Sequence, residues 1–170
     1  MGLDINLATG LPIYSTKRSK RRIYRKLSDT TRSNTTSQTN DPELSGIPLV
    51  AGKSYRIIGS FMWISSASGV GFESSTNALH AHSDINLVGC QGGHIGNPQL
   101  FIFPDTLTGG FGYLISASGS TASVSGYARS EAVVKISSTG NMDFRWAQKT
   151  AGAATTTLRK GSYIEVEELD

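Results

Sequence analysis

Short alternations of apolar and polar residues, broken by Gly, Ser and Asn, constrain the fold of this chain more than any other feature. The stretch NMDFRWAQ places Met142, Phe144 and Trp146 on one side of an extended strand and Asp143 and Arg145 on the other. Successive side chains of a strand point to opposite faces, so a period of two predicts a strand with one buried face. The pattern therefore predicts that both aromatic residues pack in a core.

Other stretches have the same character. SYIEVEEL sets Ile164 and Val166 opposite Glu165 and Glu167, and residues 55–65 are apolar on both faces toward their end, as expected of a central strand. Turn-rich pieces separate four further predicted strands, GVGFES, DINLVG, GYLISAS and EAVVKIS. About eight short strands in one domain indicate an all-β fold, a jelly-roll-like β-sandwich.

The basic residues are concentrated at the N-terminal end. Residues 1–46 contain eight Lys/Arg and four Asp/Glu, a net charge of +4, whereas residues 47–170 contain eight and nine, a net charge of −1. Residues 28–46 are almost free of apolar side chains, a composition typical of a connector that adds little to a core. We therefore predict an extended basic N-terminal arm and polar tether, residues 1–46, followed by a jelly-roll-like β-sandwich, residues 47–170.

Cysteine usage and hydropathy bound the compartment. Cys90 is the only cysteine, so no intramolecular disulfide can form, and the chain does not begin with a charged-then-apolar signal segment. Both features favour folding in a reducing cytoplasm. No apolar run approaches the length of a membrane span, so we expect no membrane partner.

Three stretches of the predicted domain resemble structural proteins of tailed bacteriophages. They are PLVAGKSYRI, SSASGVGFESS and FRWAQKTAGAATTTLRKGSYIEVEEL, and the resemblance covers roughly residues 47–170. It implies a non-catalytic jelly-roll-like module, with a glycine turn at Gly161, of the kind found in capsid decoration or cement proteins, head fibres and tail fibres, often as homotrimers. The arm has no counterpart in the resemblance. A long basic arm in place of a fibrous shaft favours a capsid-bound protein over a fibre.

The basic run KRSKRRIYRK, residues 17–26, carries seven positive charges. It could be a solvated charge cluster, a nucleic-acid-binding segment or an anchor on an acidic protein surface. We favour the anchor, because apolar and aromatic residues that could fill pockets are interspersed with the cations. The predicted capsid-anchoring residues are Lys17, Arg18, Lys20, Arg21, Arg22, Ile23, Tyr24, Arg25 and Lys26.

Patterns for metal binding or catalysis are weak. His80, His82 and Asp84 would share one strand face and are the main metal-ligand candidates, with Cys90 and His94 as a variant that no regular spacing supports, but a polar loop or strand face is the simpler interpretation. The glycine-rich GCQGGHIG lacks the ending of a P-loop, and no nucleophile elbow of the Gly-x-Ser-x-Gly type occurs. We therefore expect no cofactor, no bound metal and no enzymatic activity.

Together these features predict a capsid decoration protein that binds the outer capsid surface through its arm and stabilises the shell. Its partners would be the major capsid protein and itself, as a homotrimer, and it would be made in the host cytoplasm. The alternative is a tail or head-fibre component whose β-sandwich binds a receptor or glycan, with residues 101–113 as the candidate surface and Trp63 and Trp146 predicted as core. A nucleic-acid-binding virion protein ranks third.

Overall fold

The computed structural model describes residues 20–67, 72–76, 86–94, 97–101, 112–113 and 124–169, together with residues 4–5 and 12–13. Within these ranges every regular element is a strand, and all paired strands are antiparallel. The strands are Asp4–Ile5 (β1), Pro12–Ile13 (β2), Lys20–Arg25 (β3), Thr30–Arg32 (β4), Thr39–Asn40 (β5), Ile47–Leu49 (β6), Ser54–Ser65 (β7), Glu73–Thr76 (β8), Asn86–His94 (β9), Asn97–Phe101 (β10), Gly112–Tyr113 (β11), Val124–Lys135 (β12), Gly140–Met142 (β13), Phe144–Ala147 (β14), Thr156–Leu158 (β15) and Tyr163–Glu168 (β16).

The largest sheet is organised around β7. This strand pairs with β12 along its whole length, in a register that runs from Ser54 opposite Lys135 to Ser65 opposite Val124. Its other edge is shared by two shorter strands, because β16 covers the first half and β15 covers the end. Beyond β12 lie β9 and β10, beyond β15 lies β4, and β3 pairs with the outer edge of β16.

A second sheet, in the order β11-β8-β14-β5, packs against the first through aromatic rings. The Phe61 ring of β7 stacks on Phe144 of β14 with centroids 4.3 Å apart. Phe72, just before β8, lies between two indoles, 6.0 Å from Trp63 and 5.5 Å from Trp146. The all-β class expected from the sequence is confirmed, and the packing of these sheets is consistent with a β-sandwich.

The alternation in NMDFRWAQ correctly predicts which side chains are buried. Met142, Phe144 and Trp146 are each at most 2% exposed, so both tryptophans predicted as core are buried, Trp63 being 2% exposed. The stretch is nevertheless two strands, because the chain leaves its pairing with β6 at Asp143 and then pairs with β8 and β5. Backbone pairing therefore divides a segment whose side-chain pattern is continuous.

The central strand β7 is covered on both faces in its middle rather than toward its end. Ile57 and Ile58, which point to opposite faces, are 8% and 6% exposed, whereas Met62 is 40% exposed. The tight packing at the far end depends on Gly126 of β12. A β-carbon at this position would lie 2.1 Å from the Trp63 ring, so only glycine lets the two strands hold the indole between the sheets.

Gly161 forms the turn between β15 and β16, as the sequence predicts. Its φ of +90° is a backbone conformation that residues with a β-carbon rarely adopt. Two backbone hydrogen bonds to Lys26 hold the turn. The Gly161 N–H donates to Lys26 O at 2.9 Å, and the Lys26 N–H donates to Ser162 O at 2.8 Å. The end of the basic run is therefore tied to this turn.

The expectation that residues 28–46 add little to a core is corrected by the structure. β4 pairs with β15, β5 pairs with β14, and both Asp41 and Leu44 are fully buried. The folded body therefore begins at least as early as Lys20 rather than at residue 47. Composition records few apolar side chains in this segment, but its backbone can still complete two sheets and bury individual residues.

Among the described residues no helix is long and apolar enough to cross a bilayer.

Candidate partner-binding surface

The basic run that the sequence singles out contributes the edge strand of the large sheet. Lys17 and Arg18 lie outside the described residues, whereas Lys20–Arg25 form β3, which pairs with β16 from Arg25 opposite Tyr163 to Lys20 opposite Glu168. Among the described strands, β16 is the one neighbour of β3. The other edge of β3 is therefore the boundary of the sheet as described.

The side chains of β3 divide between two faces of the sheet. Tyr24 is half-buried and packs against the core, and Arg22 beside it donates from Nη2 to the Pro48 carbonyl at 2.9 Å. Arg21, Ile23 and Arg25 alternate with them and lie on the opposite, outer face, where all three are exposed. The outer face of the edge strand thus presents a cation, an apolar residue and a second cation.

Lys26 does not belong to this exposed surface. Its side chain is 0% exposed, and Nζ lies 2.9 Å from Asp41 Oδ2 and 2.7 Å from Thr30 Oγ1. A buried charge is stable only when it is paired and hydrogen-bonded, and both conditions are met here. Of the residues predicted to anchor the chain to a partner, Lys26 is instead used inside the fold, because the backbone pairing with the Gly161–Ser162 turn continues past Arg25 and the alternation of β3 puts the Lys26 side chain on the same face as Tyr24.

Asp41 is the centre of that buried network, and the sequence pattern gives no sign of it. Its carboxylate accepts hydrogen bonds from the backbone N–H of Glu43 at 3.0 Å and of Leu44 at 3.2 Å, and from Trp146 Nε1 at 3.1 Å. The guanidinium carbon of Arg32 lies 4.1 Å from the centre of the same indole ring. Burial lowers the pKa of Arg32, although the charge of Asp41 opposes that effect. Lys26 and Trp146 lie 15 and 105 positions from Asp41 in the sequence, so no local motif signals that they meet.

Glu43 closes the loop that follows the basic run. Its carboxylate accepts hydrogen bonds from the Ser28 hydroxyl at 2.5 Å and from the Leu27 N–H at 2.6 Å. The Ser28 hydroxyl, the backbone N–H groups and Lys26 all favour the ionised form, so the pKa of Glu43 lies below its ordinary value. The contacts of this loop therefore favour the ionised form of Glu43.

Oppositely charged side chains of neighbouring strands pair on the outer face of the large sheet. Arg21 of β3 pairs with Glu165 of β16. On β7, Arg56 donates from Nε to Glu131 of β12 at 2.6 Å, and this contact raises the pKa of Arg56. Arg56 also lies 3.8 Å from Glu167 of β16. Cations on β3 and β7 therefore flank carboxylates on β16, with a further carboxylate on β12.

Two exposed apolar side chains accompany the cations. Ile23 is 51% exposed and Leu27 is 78% exposed, although both lie next to residues that are anchored in the fold. A protein-binding anchor needs exposed apolar residues among its cations, and these two side chains meet that condition. We call Arg21, Ile23, Arg25 and Leu27 the basic edge.

The other sequence candidates lie largely outside the described residues. His80, His82 and Asp84 are not among them, and the described residues contain no group of three or more metal-binding side chains. The glycan-binding surface considered at residues 101–113 is described only for the backbone of its first residue and its last two. These hypotheses stay predictions.

Comparison with known proteins finds no protein family and no curated protein that matches this chain. Among solved structures, a crystal structure of the infectious bursal disease virus VP2 subviral particle matches at 12% identity with a TM-score of 0.28, over 99% of this chain and 44% of that one. Structures of the Gx and Gt strains of the same virus match at 14% and 9% identity, each with a TM-score of 0.24 and over 45% of their chains. The chain spans less than half of each matched chain, and similarity at this level carries no argument about function.

Proposed function

We propose that this chain is a virion structural protein of a tailed bacteriophage, which binds the outer capsid surface and stabilises the shell without catalysing a reaction. The observation that carries the proposal is the exposure of Ile23 and Leu27 among the cations of the basic edge. Phosphate groups of DNA or RNA require only the cations. A protein surface also offers apolar pockets, which these two side chains can fill.

The pairing of β3 with β16 would connect a partner bound at the basic edge to the rest of the fold. A partner that contacts Arg21, Ile23 and Arg25 is held by a strand that is hydrogen-bonded into the large sheet. Ligand binding to an assembled shell, and less to its dissociated subunits, shifts the assembly equilibrium toward the shell by mass action. Several copies joined in one oligomer would strengthen weak individual contacts.

The test replaces the two exposed apolar residues and keeps every charge. Ile23→Ser combined with Leu27→Ser should weaken co-sedimentation with assembled capsids, because each side chain contributes roughly 1–2 kcal/mol when its apolar surface is buried. Val50→Ser is the matched control, since Val50 is 50% exposed and lies outside the basic run. Binding of duplex and single-stranded DNA should be weak for all three proteins.

Two results would contradict the proposal. One is unchanged capsid binding by the double variant. The other is a chain that does not sediment with capsids but binds DNA tightly, with the same affinity after the double substitution. This second result would make nucleic acid the partner of the basic edge.

A further inference from the structure

The basic edge combines features that specify the chemistry of a partner more closely than net charge does. β3 has one described neighbour, β16, so the N–H and C=O groups on its other edge face away from the described sheet. Unpaired strand edges accept a further strand readily. The side chains that would meet such a strand on the outer face are Arg21, Ile23 and Arg25, in that order along β3.

Neighbouring strands already show which charges this face accommodates. Counting inward from the edge, Arg21 meets Glu165, Glu167 meets Arg56, and Arg56 meets Glu131. Each contact joins opposite charges on adjacent strands, and such cross-strand pairs stabilise a sheet whereas like charges destabilise it. A strand added beyond β3 would continue these opposite-charge contacts if it carried carboxylates facing Arg21 and Arg25.

We propose that β3 binds an extended acidic segment of a partner protein by strand addition, with two carboxylates opposite Arg21 and Arg25 and an apolar side chain opposite Ile23. The sequence recognised is therefore acidic–x–apolar–x–acidic, because only alternate residues of a strand share one face. Backbone hydrogen bonds supply a large part of the affinity, and the three side chains supply the register. The identification of that partner as a capsid subunit rests on the proposed function.

Charge also argues against a second copy of β3 as the occupant. Edge-to-edge pairing of two β3 strands would bring the cations of Lys20–Arg25 from both copies together. Cationic edge strands are a common means by which proteins prevent such self-association. An acidic strand reverses the sign of this interaction, which makes the edge selective.

The experiment uses the full chain and a synthetic peptide with the core sequence Glu-Thr-Val-Thr-Glu, capped at both ends. Three controls accompany it: a peptide of the same composition in the order Glu-Glu-Val-Thr-Thr, and two peptides with the original order that are N-methylated at one or the other alternate set of backbone nitrogens. We expect the ordered peptide to bind and to slow amide hydrogen exchange in Lys20–Arg25. We also expect one N-methylated set to abolish binding, because it removes the N–H groups that would face β3.

Substitutions in the protein test the side-chain part of the proposal. Arg25→Glu should weaken binding of the ordered peptide on the order of tenfold, because it places like charges opposite each other. Lys149→Glu changes the net charge equally at an exposed residue outside β3 and should have little effect. Thermal melts of both variants confirm that the fold is retained.

The following outcomes would overturn strand addition: equal binding of the permuted peptide, equal binding of both N-methylated peptides, or no loss on Arg25→Glu. A further result would overturn it: the β3 amides exchange slowly in the free chain, and they exchange faster once residues 1–19 are removed. Residues 1–19 would then already cover the edge of β3. Capsid binding without peptide binding contradicts strand addition and leaves the proposed function intact. Peptide binding without capsid binding supports strand addition and contradicts the proposed function.

Discussion

Lys26 and Arg21 belong to the same basic run but lie in opposite environments. The Arg21 side chain is 57% exposed, whereas the Lys26 side chain is 0% exposed and pairs with an Asp41 carboxylate that is also fully buried. The attraction within such a pair has to offset the cost of removing both charges from water, so the loss of one partner is far more damaging than the absence of both. Lys26 therefore acts on stability, and Arg21 is available to a partner.

Replacing Lys26 with Met should lower the free energy of unfolding by about 3–5 kcal/mol, because it leaves the buried Asp41 carboxylate without its cation. Adding Asp41→Asn should recover part of that loss, since the amide needs no counter-charge. Urea denaturation measures both effects, and Lys149→Met serves as the control at an exposed lysine. A stability of the Lys26 variant equal to that of this control would contradict the assigned network.

Glu43 makes a second residue-scale prediction, on pH. Because its pKa is lowered in the folded chain, its contribution to stability is complete above the ordinary Glu value of about 4.3 and is lost as the pH falls through the lower folded value. The unaltered protein should therefore be more stable than Glu43→Gln at neutral pH, and the difference should shrink below about pH 4. Thermal melts across this range measure it; a difference that grows in acid would contradict the assignment.

At the scale of elements, β3 and β16 depend on each other. β16 contributes the buried Ile164 and Val166, and β3 covers the edge of β16 and packs Tyr24 against the core. An uncovered strand edge loses its hydrogen-bond partners and is prone to pair with other chains. The segment that the sequence presents as an arm is therefore part of the sheet from Lys20 onward.

Two truncations separate the part of the N-terminal region that supports the fold from the part that precedes it. Removal of residues 1–26 should lower the melting temperature more than removal of residues 1–19, by on the order of 10 °C. The longer deletion takes away β3 and leaves Asp41 without Lys26. Calorimetry on both proteins gives the comparison. Equal melting temperatures would mean that β3 adds nothing to stability.

At the scale of the whole molecule, the two largest sheets among the described residues are antiparallel and share an aromatic core. For a structural protein of the proposed kind we expect a homotrimer, and a trimer would multiply the contacts that three basic edges make with one shell. The protein at micromolar concentration should therefore scatter light with three times the mass of a single chain. A monomer mass under these conditions would contradict the trimer, and capsid binding would then depend on single contacts.

The sequence alone determined the strand class and much of the core. A period of two is a local property, so it correctly places Phe144, Trp146, Ile164 and Val166 inside the sheets. The concentration of cations in residues 17–26 is likewise a local fact, and within that run Lys20, Arg21 and Arg25 are exposed.

Only the tertiary structure decided which residues of that segment are exposed and which are buried. Arg21 meets Glu165 across 144 positions, and Asp41 meets Trp146 across 105. Local composition carries no information about such partners, because the low apolar content of residues 28–46 fits a tether and a set of sheet-forming strands equally well. Long-range backbone pairing decides between these two structures. It places β3 at the edge of the large sheet and the Lys26 side chain in the interior, next to Asp41.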